Sequence, residues 1–456
     1  MQKNSLRGEQ YSPSLAKGGL GGICLKRGIT MRLELRIIHI KDVQFGEKTK
    51  IDGGVLYING RELLEILQRD KRFSNVSVEL AHPGESCRIL QISDVVEPRA
   101  KTDGIFQDFP GALGKLGTVG EGSTCVLGGV AVMMNDQSEL TFPIEDQIGN
   151  IVDMSGPGSE VSIYAKTHNV VVLPFPSDGI SSDNYRVALK IAGLKTAVYL
   201  AQAGKELKPD EIEVYDLPPL TEVSKGMEGL PRVAYIAQLY MNQFQTLEGE
   251  PILYGDNIRK LVPTLIHPNE ILDGAIVNAY RGGVNETYIF QQHPVIKELY
   301  RRHGKDLSFV GVVLTICHST EPERERSAVM AANLVKSVLG ADGVILTKAG
   351  GGAPEIAMAQ TADECEARGI RTAIIMWQLH SADLGGALFN LPRVNAIIGT
   401  GTVWESISLP PVERVIGRPV TLPMGASANG ELERIKWRIS GATDQLGYSK
   451  LLSVLY

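Results

Sequence analysis

The spacing of apolar residues divides the chain into two regions of different character. From Met31 to about residue 176, short β-branched segments alternate with Gly, Pro, Asn and Asp, which is typical of strands joined by turns. In the first of these segments, MRLELRIIHI, apolar residues occupy alternating positions. Helices are predicted over GRELLEILQRD and over residues 183–207. The pattern predicts a strand-rich α+β domain in this part of the chain.

After residue 229 the pattern becomes that of a parallel sheet with helices between its strands. Apolar strands are predicted over residues 232–240, 271–278, 307–316, 342–347, 371–377 and 394–399. Helices are predicted over residues 294–304, 322–340 and 354–369, and each begins with Pro and ends at Gly. Some of the strands are apolar at every position, as expected when both faces of a sheet are covered. We predict a doubly wound α/β domain here.

Composition places two further boundaries. Residues 1–30 are rich in Gly, Ser and Lys and contain no continuous apolar stretch, so we expect a disordered tail rather than a secretory signal. The segment KPDEIEVYDLPPL, with its Pro and acidic residues, begins a predicted linker at about residues 208–228. The predicted organisation is a tail (1–30), an α+β domain that ends in the linker (31–228) and an α/β substrate-binding domain (229–456).

Charge and composition exclude several classes of function. The 456 residues include 46 Lys+Arg and 52 Asp+Glu, a net charge of −6, whereas nucleic-acid binding needs clustered positive charge. No apolar run approaches the roughly 18–20 residues that span a membrane. The five cysteines include no CxxC pair, and the eight histidines include no HxxxH or HExxH pair. We therefore expect a cytoplasmic enzyme or enzyme subunit, with neither a disulfide scaffold nor a sequence-local metal site.

Candidate site residues follow the predicted strands, because ligands of open parallel sheets bind at the carboxyl ends of the strands. Polar residues gather at these positions. Asn242, Asn278, Tyr280 and Thr400 are candidate substrate ligands, and His380 is a candidate general acid or base. An ordinary loop histidine is an equally good interpretation of His380.

The segment TKAGGGAPE, at residues 347–355, is the sharpest local motif. A strand leads into Gly350, Gly351 and Gly352 and then into a helix that Pro354 opens. Glycine N–H groups and a helix N-terminus can approach an anion, and Lys348 would add a full positive charge. The motif is neither GxGxxG nor a Walker loop, so we predict binding of a substrate carboxylate or phosphate. A tight turn that needs positive φ is the alternative.

Cys317 and His318 follow a buried strand and precede a predicted helix. A thiol near a helix N-terminus and beside an imidazole can act as a nucleophile or a redox group. A small buried cysteine is the alternative. Cys317, His318 and His380 are therefore the candidate catalytic residues.

Three long segments carry a resemblance to a known family: MRLELRIIHIKDVQFG, LYMNQFQTLEGEPILYGDNIRKLVPTLIHPNEILDGAIVN and VILTKAGGGAPEIAMAQTADECEARGI. From Met31 onward the chain resembles the proprotein of the alpha and beta subunits of component B of the glycine, sarcosine and betaine reductases. The resemblance implies reductive C–N cleavage of a small amino-acid-derived carboxylate, with thioredoxin as reductant. It implies as partners a second component B subunit, of selenocysteine or cysteine type, and a carrier selenoprotein.

The resemblance also implies self-cleavage at an internal cysteine, which becomes a pyruvoyl group able to form a Schiff base with an amine. The corresponding loop here, NAYRGGVNETY (278–288), contains neither Cys nor Ser, and no cysteine lies between Cys125 and Cys317. We therefore predict an uncut chain without a cofactor. Two alternatives stay open: a non-catalytic substrate-binding or scaffold subunit, and a cysteine-dependent α/β enzyme that uses Cys317.

Overall fold

A computed structural model describes residues 31–103, 106–138, 148–240, 251–278, 285–378, 394–418, 420, 427–449 and 452–454. The chain is mixed α/β and contains several sheets, some of them mixed. Within the described ranges, no helix is both long enough and apolar enough to cross a membrane.

The first half of the chain is built mainly from short strands. They are β1 (Met31–His39), β2 (Asp42–Phe45), β3 (Lys50–Asp52), β4 (Val55–Ile58), β5 (Phe73–Ala81), β6 (Cys87–Ile89), β7 (Ile92–Val96), β8 (Arg99–Lys101), β9 (Gly122–Gly128), β10 (Val130–Asn135), β11 (Val152–Asp153), β12 (His168–Pro176) and β13 (Glu211–Leu217). The helices are α1 (Gly60–Gln68), α2 (Gly156–Val161) and α3 (Ser182–Ala201), with 3₁₀ turns at Ile163–Lys166 and Gln202–Gly204. Helices α1 and α3 confirm the two that the sequence predicts here.

The second half alternates strands with helices. Its strands are β14 (Arg232–Leu239), β15 (Thr264–Ile266), β16 (Ser308–Ile316), β17 (Gly343–Thr347), β18 (Arg371–Gln378), β19 (Ala396–Thr402), β20 (Ser406–Leu409), β21 (Arg414–Ile416), β22 (Leu432–Ile435) and β23 (Leu452–Val454). Its helices are α4 (Pro268–Leu272), α5 (Thr287–Gln291), α6 (Pro294–Arg302), α7 (Glu321–Asn333) and α8 (Ala353–Ala367), with a π-helical turn at Leu334–Val338 and a 3₁₀ turn at Lys436–Arg438.

The strand predicted over residues 271–278 is wrong, because helix α4 begins before it. The His267 side chain accepts a hydrogen bond from the backbone of Asn269, and the Glu270 carboxylate accepts one from the His267 backbone at 2.9 Å. Pro268 occupies the first helical turn, where its missing N–H costs nothing. A histidine cap is a weak sequence signal, so the apolar run that follows it gave the wrong prediction.

Part of the predicted linker is also a strand. β13 pairs antiparallel with β1, from Ile37 opposite Glu211 to Met31 opposite Leu217. Its alternating buried residues, Tyr215 and Leu217, were masked in the sequence by the neighbouring acids and prolines. The domain boundary itself stays a prediction.

Five parallel strands form the centre of a seven-stranded sheet, in the order β16-β14-β17-β18-β19, with antiparallel β15 and β23 at its edges. On β14, Ala234 and Ile236 belong to the apolar cluster that includes α7 and α8 residues. Tyr235 points into the other cluster, with Ile296 of α6. Both faces of the sheet are therefore covered. After β14 the chain adds β16 on one side of it and then β17, β18 and β19 on the other, so the strand order reverses between β14 and β17.

A buried ion pair joins distant parts of the chain near β6. The Arg88 guanidinium donates to both carboxylate oxygens of Asp153 at 2.7 and 2.8 Å. It also donates to the carbonyls of Pro410, Ala428 and Gly430 at 2.8–2.9 Å. These five bonds use every N–H that a guanidinium carries. Nearby, β21 pairs parallel with β6, so the C-terminal part of the chain completes a sheet of the N-terminal part.

Candidate functional site

The carboxyl ends of β14, β16 and β17 carry three of the residues that follow strands: Tyr240, Cys317 and Lys348. Their strands are neighbours in the sheet, so these positions share one edge. Three other predicted site residues, Asn242, Tyr280 and His380, lie outside the described residues. The described part of the candidate site therefore consists of Lys348 and Cys317 and the groups around each.

Lys348, which the sequence predicted to contribute a positive charge to an anion site, is completely buried. Its Nζ lies 3.1 Å from Glu355 Oε1 and donates to the Gly350 carbonyl at 2.7 Å. It also donates to Gln445 Oε1 at 3.4 Å and lies 4.8 Å from the ring centroid of Trp377. Lys348 is thus held by an ion pair, an amide, a carbonyl and an aromatic face.

Burial lowers the pKa of Lys348 to about 8, and the neighbouring Glu355 acts in the opposite direction. Because Glu355 lies in the first turn of α8, the chain itself supplies an anion at the helix N-terminus where the sequence predicted a substrate anion. The Glu355 Oε2 atom is buried and has no hydrogen-bond partner among the described residues. This arrangement leaves one carboxylate oxygen available beside the cation.

The glycine loop does contain the positive φ angles that the turn interpretation requires. Gly350 has φ of 88° and Gly352 has φ of 76°. A side chain at Gly350 would approach the Tyr240 ring and Pro354 at 3.3–3.4 Å. Gly351 is exposed, is not in the left-handed region and would place a Cβ at 3.7 Å from Trp377. The loop is therefore a tight turn, and its anion binding stays a prediction.

Cys317 is buried, with 2% of its surface exposed. Its Sγ contacts the backbone carbonyl of His318 at 3.6 Å. His318 is also buried, and this lowers the pKa of its imidazole, against the opposing effect of Glu323. Helix α7 begins just beyond, where Thr320 donates its hydroxyl to Glu323 at 2.8 Å. The thiol is thus shielded from solvent in this state of the protein.

Thr400 and Asn278 are buried within the core rather than exposed after strands. Thr400 lies inside β19, which extends three residues beyond the predicted end, and its hydroxyl has no partner among the described residues. The Asn278 backbone donates to the Thr287 hydroxyl at 2.9 Å. Thr287 in turn donates its hydroxyl to Asp94 at 2.6 Å. Burial raises the pKa of Asp94, while the Thr287 bonds lower it.

A small polar cavity adjoins Lys348, and the sequence gave no signal for it. Its lining includes two tryptophans, three side-chain amides and two acids. The lining residues are Asn150, Asn285, Glu286, Trp377, Trp437, Ile439, Ser440, Thr443, Asp444 and Gln445. The two indole rings meet edge to face with centroids 6.1 Å apart. Within the part of the chain that the structure describes, Nε1 of Trp377, Nε1 of Trp437 and Oδ1 of Asn150 are buried without hydrogen-bond partners.

Two loops hold this cavity in place. The carboxylate of Asp444 accepts five hydrogen bonds from residues 446–449, which closes that loop on itself. The Gln445 backbone donates to Asn285 Oδ1 at 2.9 Å, which ties the same loop to the segment before α5. Glu286 is fully buried, and burial raises its pKa to about 8. The cavity thus contains a carboxyl group whose neutral form is favoured by burial.

The chain matches the sequence model of the glycine/sarcosine/betaine reductase component B subunits over residues 31–453. It is 37% identical over 442 residues to the glycine reductase complex component B subunits alpha and beta of Acetoanaerobium sticklandii, covering 93% of this chain and 100% of that protein. Identity is 37% to the sarcosine reductase complex component B subunit alpha of Peptoclostridium acidaminophilum, over 85% of this chain and 89% of that one.

The betaine reductase complex component B subunit alpha of the same organism is 32% identical, over 88% of this chain and 91% of that protein. No solved structure matches the chain significantly. The family match and the length of these alignments confirm the resemblance seen in the sequence. The protein therefore belongs to the family of glycine/sarcosine/betaine reductase component B subunits.

Proposed function

We propose that the protein is the component B subunit of a glycine, sarcosine or betaine reductase-type complex. In this role it binds a small amino-acid-derived carboxylate for reductive C–N cleavage, which the complex performs. Support comes from the family match over residues 31–453 and from relatives in all three kinds of complex. Turnover is expected only with a partner subunit of selenocysteine or cysteine type, together with a carrier selenoprotein. None of the four described cysteines forms a disulfide with another described residue, which fits work in the reducing cytoplasm.

The substrate site in this proposal is the polar cavity beside Lys348, which in this structure has room for about one water molecule, roughly 10 Å³, and has to widen to admit a substrate. The observation that carries it is the pair of buried indole N–H groups, on Trp377 and Trp437, that have no hydrogen-bond partner among the described residues; both side chains line the cavity, as does Asn150. Buried donors without partners are rare in proteins and call for a ligand or water to satisfy them. A carboxylate accepts two such bonds, and the Lys348 ammonium lies 4.8 Å from the centroid of the Trp377 ring.

The position of this cavity is consistent with a doubly wound fold, which forms part of the same proposal. The parallel strand order β16-β14-β17-β18-β19 and the helices on both faces support it. In such folds the ligand crevice lies at the carboxyl ends of the strands where the chain direction changes. Tyr240 and Lys348 lie at those ends of β14 and β17.

The pyruvoyl group of the family does not fit this chain. Between residues 278 and 288 the sequence offers neither Cys nor Ser, and Thr287 carries an extra methyl group that a pyruvoyl group lacks. The Thr287 hydroxyl is, moreover, bonded to Asp94. We therefore derive no amine capture by a carbonyl, and the substrate is held by hydrogen bonds and charge alone.

The chain should accordingly stay in one piece. Mass spectrometry of the denatured protein is expected to give a single species at the mass of the full chain. Two fragments meeting between residues 278 and 288, with a carbonyl-reactive N-terminus on the second, would contradict the prediction. Denaturing conditions are essential, because β6 and β21 would hold two fragments together.

Replacement of the cavity tryptophans tests the site. Trp377→Phe and Trp437→Phe keep an aromatic ring but remove the N–H donor, so each should weaken binding of glycine, sarcosine or betaine to the assembled complex about 10-fold. Isothermal titration calorimetry measures this. Trp404 is the matched control: it packs on Trp437 with centroids 5.8 Å apart but is 44% exposed and does not line the cavity.

We expect Trp404→Phe to change affinity by less than twofold. Equal affinities in all three variants would show that the substrate does not bind in this cavity. Of the two alternative functions, the non-catalytic subunit predicts no binding of the three substrates if it is a scaffold, and binding without turnover in the assembled complex if it is a substrate-binding subunit. A nucleophilic role for Cys317 is disfavoured by the burial of its thiol.

A further inference from the structure

Three residues with metal-binding side chains meet outside the lining of the proposed substrate cavity. Asp42 begins β2, His82 follows β5 and His168 begins β12. β5 and β12 pair antiparallel with Ala81 opposite Asn169, and this register places the two histidines side by side. Among the residues that the structure describes, these form the one group of three His, Cys, Asp or Glu side chains whose ligand atoms all lie within 4.8 Å of one another.

The distances between the ligand atoms suit one metal ion. His82 Nδ1 lies 3.1 Å from His168 Nδ1. Asp42 Oδ1 lies 3.5 Å from His82 Nδ1 and 3.8 Å from His168 Nδ1. With metal–ligand bonds of about 2.0–2.1 Å at tetrahedral angles, ligand atoms are separated by roughly 3.3–3.4 Å. The three distances lie on both sides of this value, so small rotations of the side chains would complete the geometry.

We propose that Asp42, His82 and His168 bind a divalent first-row transition-metal ion, with Zn²⁺ as the best match. Two imidazoles and one carboxylate form a donor set that suits zinc and its neighbours, whereas Mg²⁺ and Ca²⁺ prefer oxygen ligands alone. Three protein ligands leave a fourth position for water or another small ligand. This inference does not rest on the proposed function.

The surroundings already orient the carboxylate. The backbone N–H of Val43 donates to Asp42 Oδ1 at 2.9 Å, and the Gln44 side chain donates to Asp42 Oδ2 at 2.7 Å. Hydrogen bonds of this kind fix a ligand before the metal arrives and strengthen its binding. The side chains of Asp42 and His82 are 35% and 38% exposed, so an ion can enter from solvent.

The expected consequence is structural. An ion held by these residues would join β2 to the end of β5 and the start of β12. These three segments are spread over more than 120 residues of sequence. Since binding to the folded state alone stabilises it, zinc should raise the melting temperature of the full-length protein. The test therefore has two readouts that do not depend on reductase activity.

The experiment starts from full-length protein stripped with a chelator. Titration with zinc chloride, followed by calorimetry, should give one ion per chain, and Co²⁺ should give visible absorption bands of a tetrahedral site. His168→Ala should weaken zinc affinity at least 100-fold and abolish the rise in melting temperature. Gln44→Ala should weaken affinity about 10-fold, since it removes a bond to a ligand without removing the ligand.

The matched control is His39→Ala. His39 is exposed and lies 3.6 Å from Glu211, so it is a histidine–carboxylate pair outside the three-ligand group. Its zinc affinity should stay within twofold of the wild type. If His168→Ala fails to fold, Asp42→Asn at the partly exposed carboxylate gives the same test. Absence of stoichiometric binding, or unchanged affinity in these ligand variants, would overturn the proposal.

Discussion

Two buried ion pairs, Arg88–Asp153 and Lys348–Glu355, differ in how many of their polar atoms have hydrogen-bond partners. Every N–H of the Arg88 guanidinium has a partner, and the Asp153 carboxylate accepts through both oxygens. The Lys348–Glu355 pair is different. Glu355 Oε2 and the neighbouring Trp377 Nε1 have no partner within the described residues.

The difference distinguishes an ion pair that stabilises the fold from one that takes part in ligand binding. Burial of two charges brings little net stability, so a buried pair by itself is weak support for either role. Complete satisfaction of Arg88 by three distant carbonyls points to a structural role. Orphaned atoms beside Lys348 point instead to a group that the protein binds.

Removal of Arg88 should have the largest effect on stability. Arg88→Met leaves Asp153 as an uncompensated buried charge and three carbonyls without donors, so the free energy of unfolding should fall by about 4–5 kcal/mol. Urea unfolding followed by circular dichroism measures it. The control is Arg414→Met on the neighbouring β21, whose pairs with Glu79 and Glu85 are partly exposed and should contribute at most about 1 kcal/mol. Equal losses in both variants would contradict the distinction.

Lys348→Met should lower the free energy of unfolding by less, about 3 kcal/mol, because it leaves one buried carboxylate unpaired. The double variant Lys348→Met/Glu355→Gln removes both charges and should recover most of the loss. Affinity for the carboxylate substrate should stay low in both variants, since the nearby positive charge is gone. A double variant as unstable as the single one would show that Lys348 matters through packing rather than through its charge.

The pH dependence of unfolding offers a smaller effect on the same pair. The pKa of Lys348 is lowered from 10.5 to about 8, so above pH 8 the folded protein binds fewer protons than the unfolded chain. Stability should therefore rise with pH in this window, by about 1.5 kcal/mol between pH 8 and 9.5. Lys348→Met should lack this rise. Parallel pH curves for the two proteins would contradict the low pKa.

The sequence predicted the central sheet well because its strands are long, apolar and separated by clear helix signals. β14, β16, β17, β18 and β19 all lie where apolar runs predicted strands. The errors occurred where one local signal masked another. The apolar run at residues 271–278 concealed the start of α4, and acidic residues and prolines concealed β13.

The site was predicted only in part, because its partners are far apart in sequence. Lys348 was identified from its position after a strand, but its burial depends on Trp377 and on Gln445, which is 97 residues away. Asp42, His82 and His168 likewise share no motif: the register of β5 and β12 brings the two histidines together, and Asp42 comes from β2 in another sheet. Motif spacing detects sites within one loop or helix, and neither of these sites is of that kind.

The carbonyls that satisfy Arg88 have a consequence for the order in which the protein is made. Arg88 lies 340 residues before Ala428. At a synthesis rate of about 5–20 residues per second, the carbonyls that accept from Arg88 are synthesised on the order of 20–70 s after Arg88 itself. During that interval β6 also lacks its neighbour β21, so an unpaired strand edge is exposed on the ribosome. We expect the N-terminal part of the chain, made alone, to aggregate, and co-expression with the missing C-terminal part to rescue it.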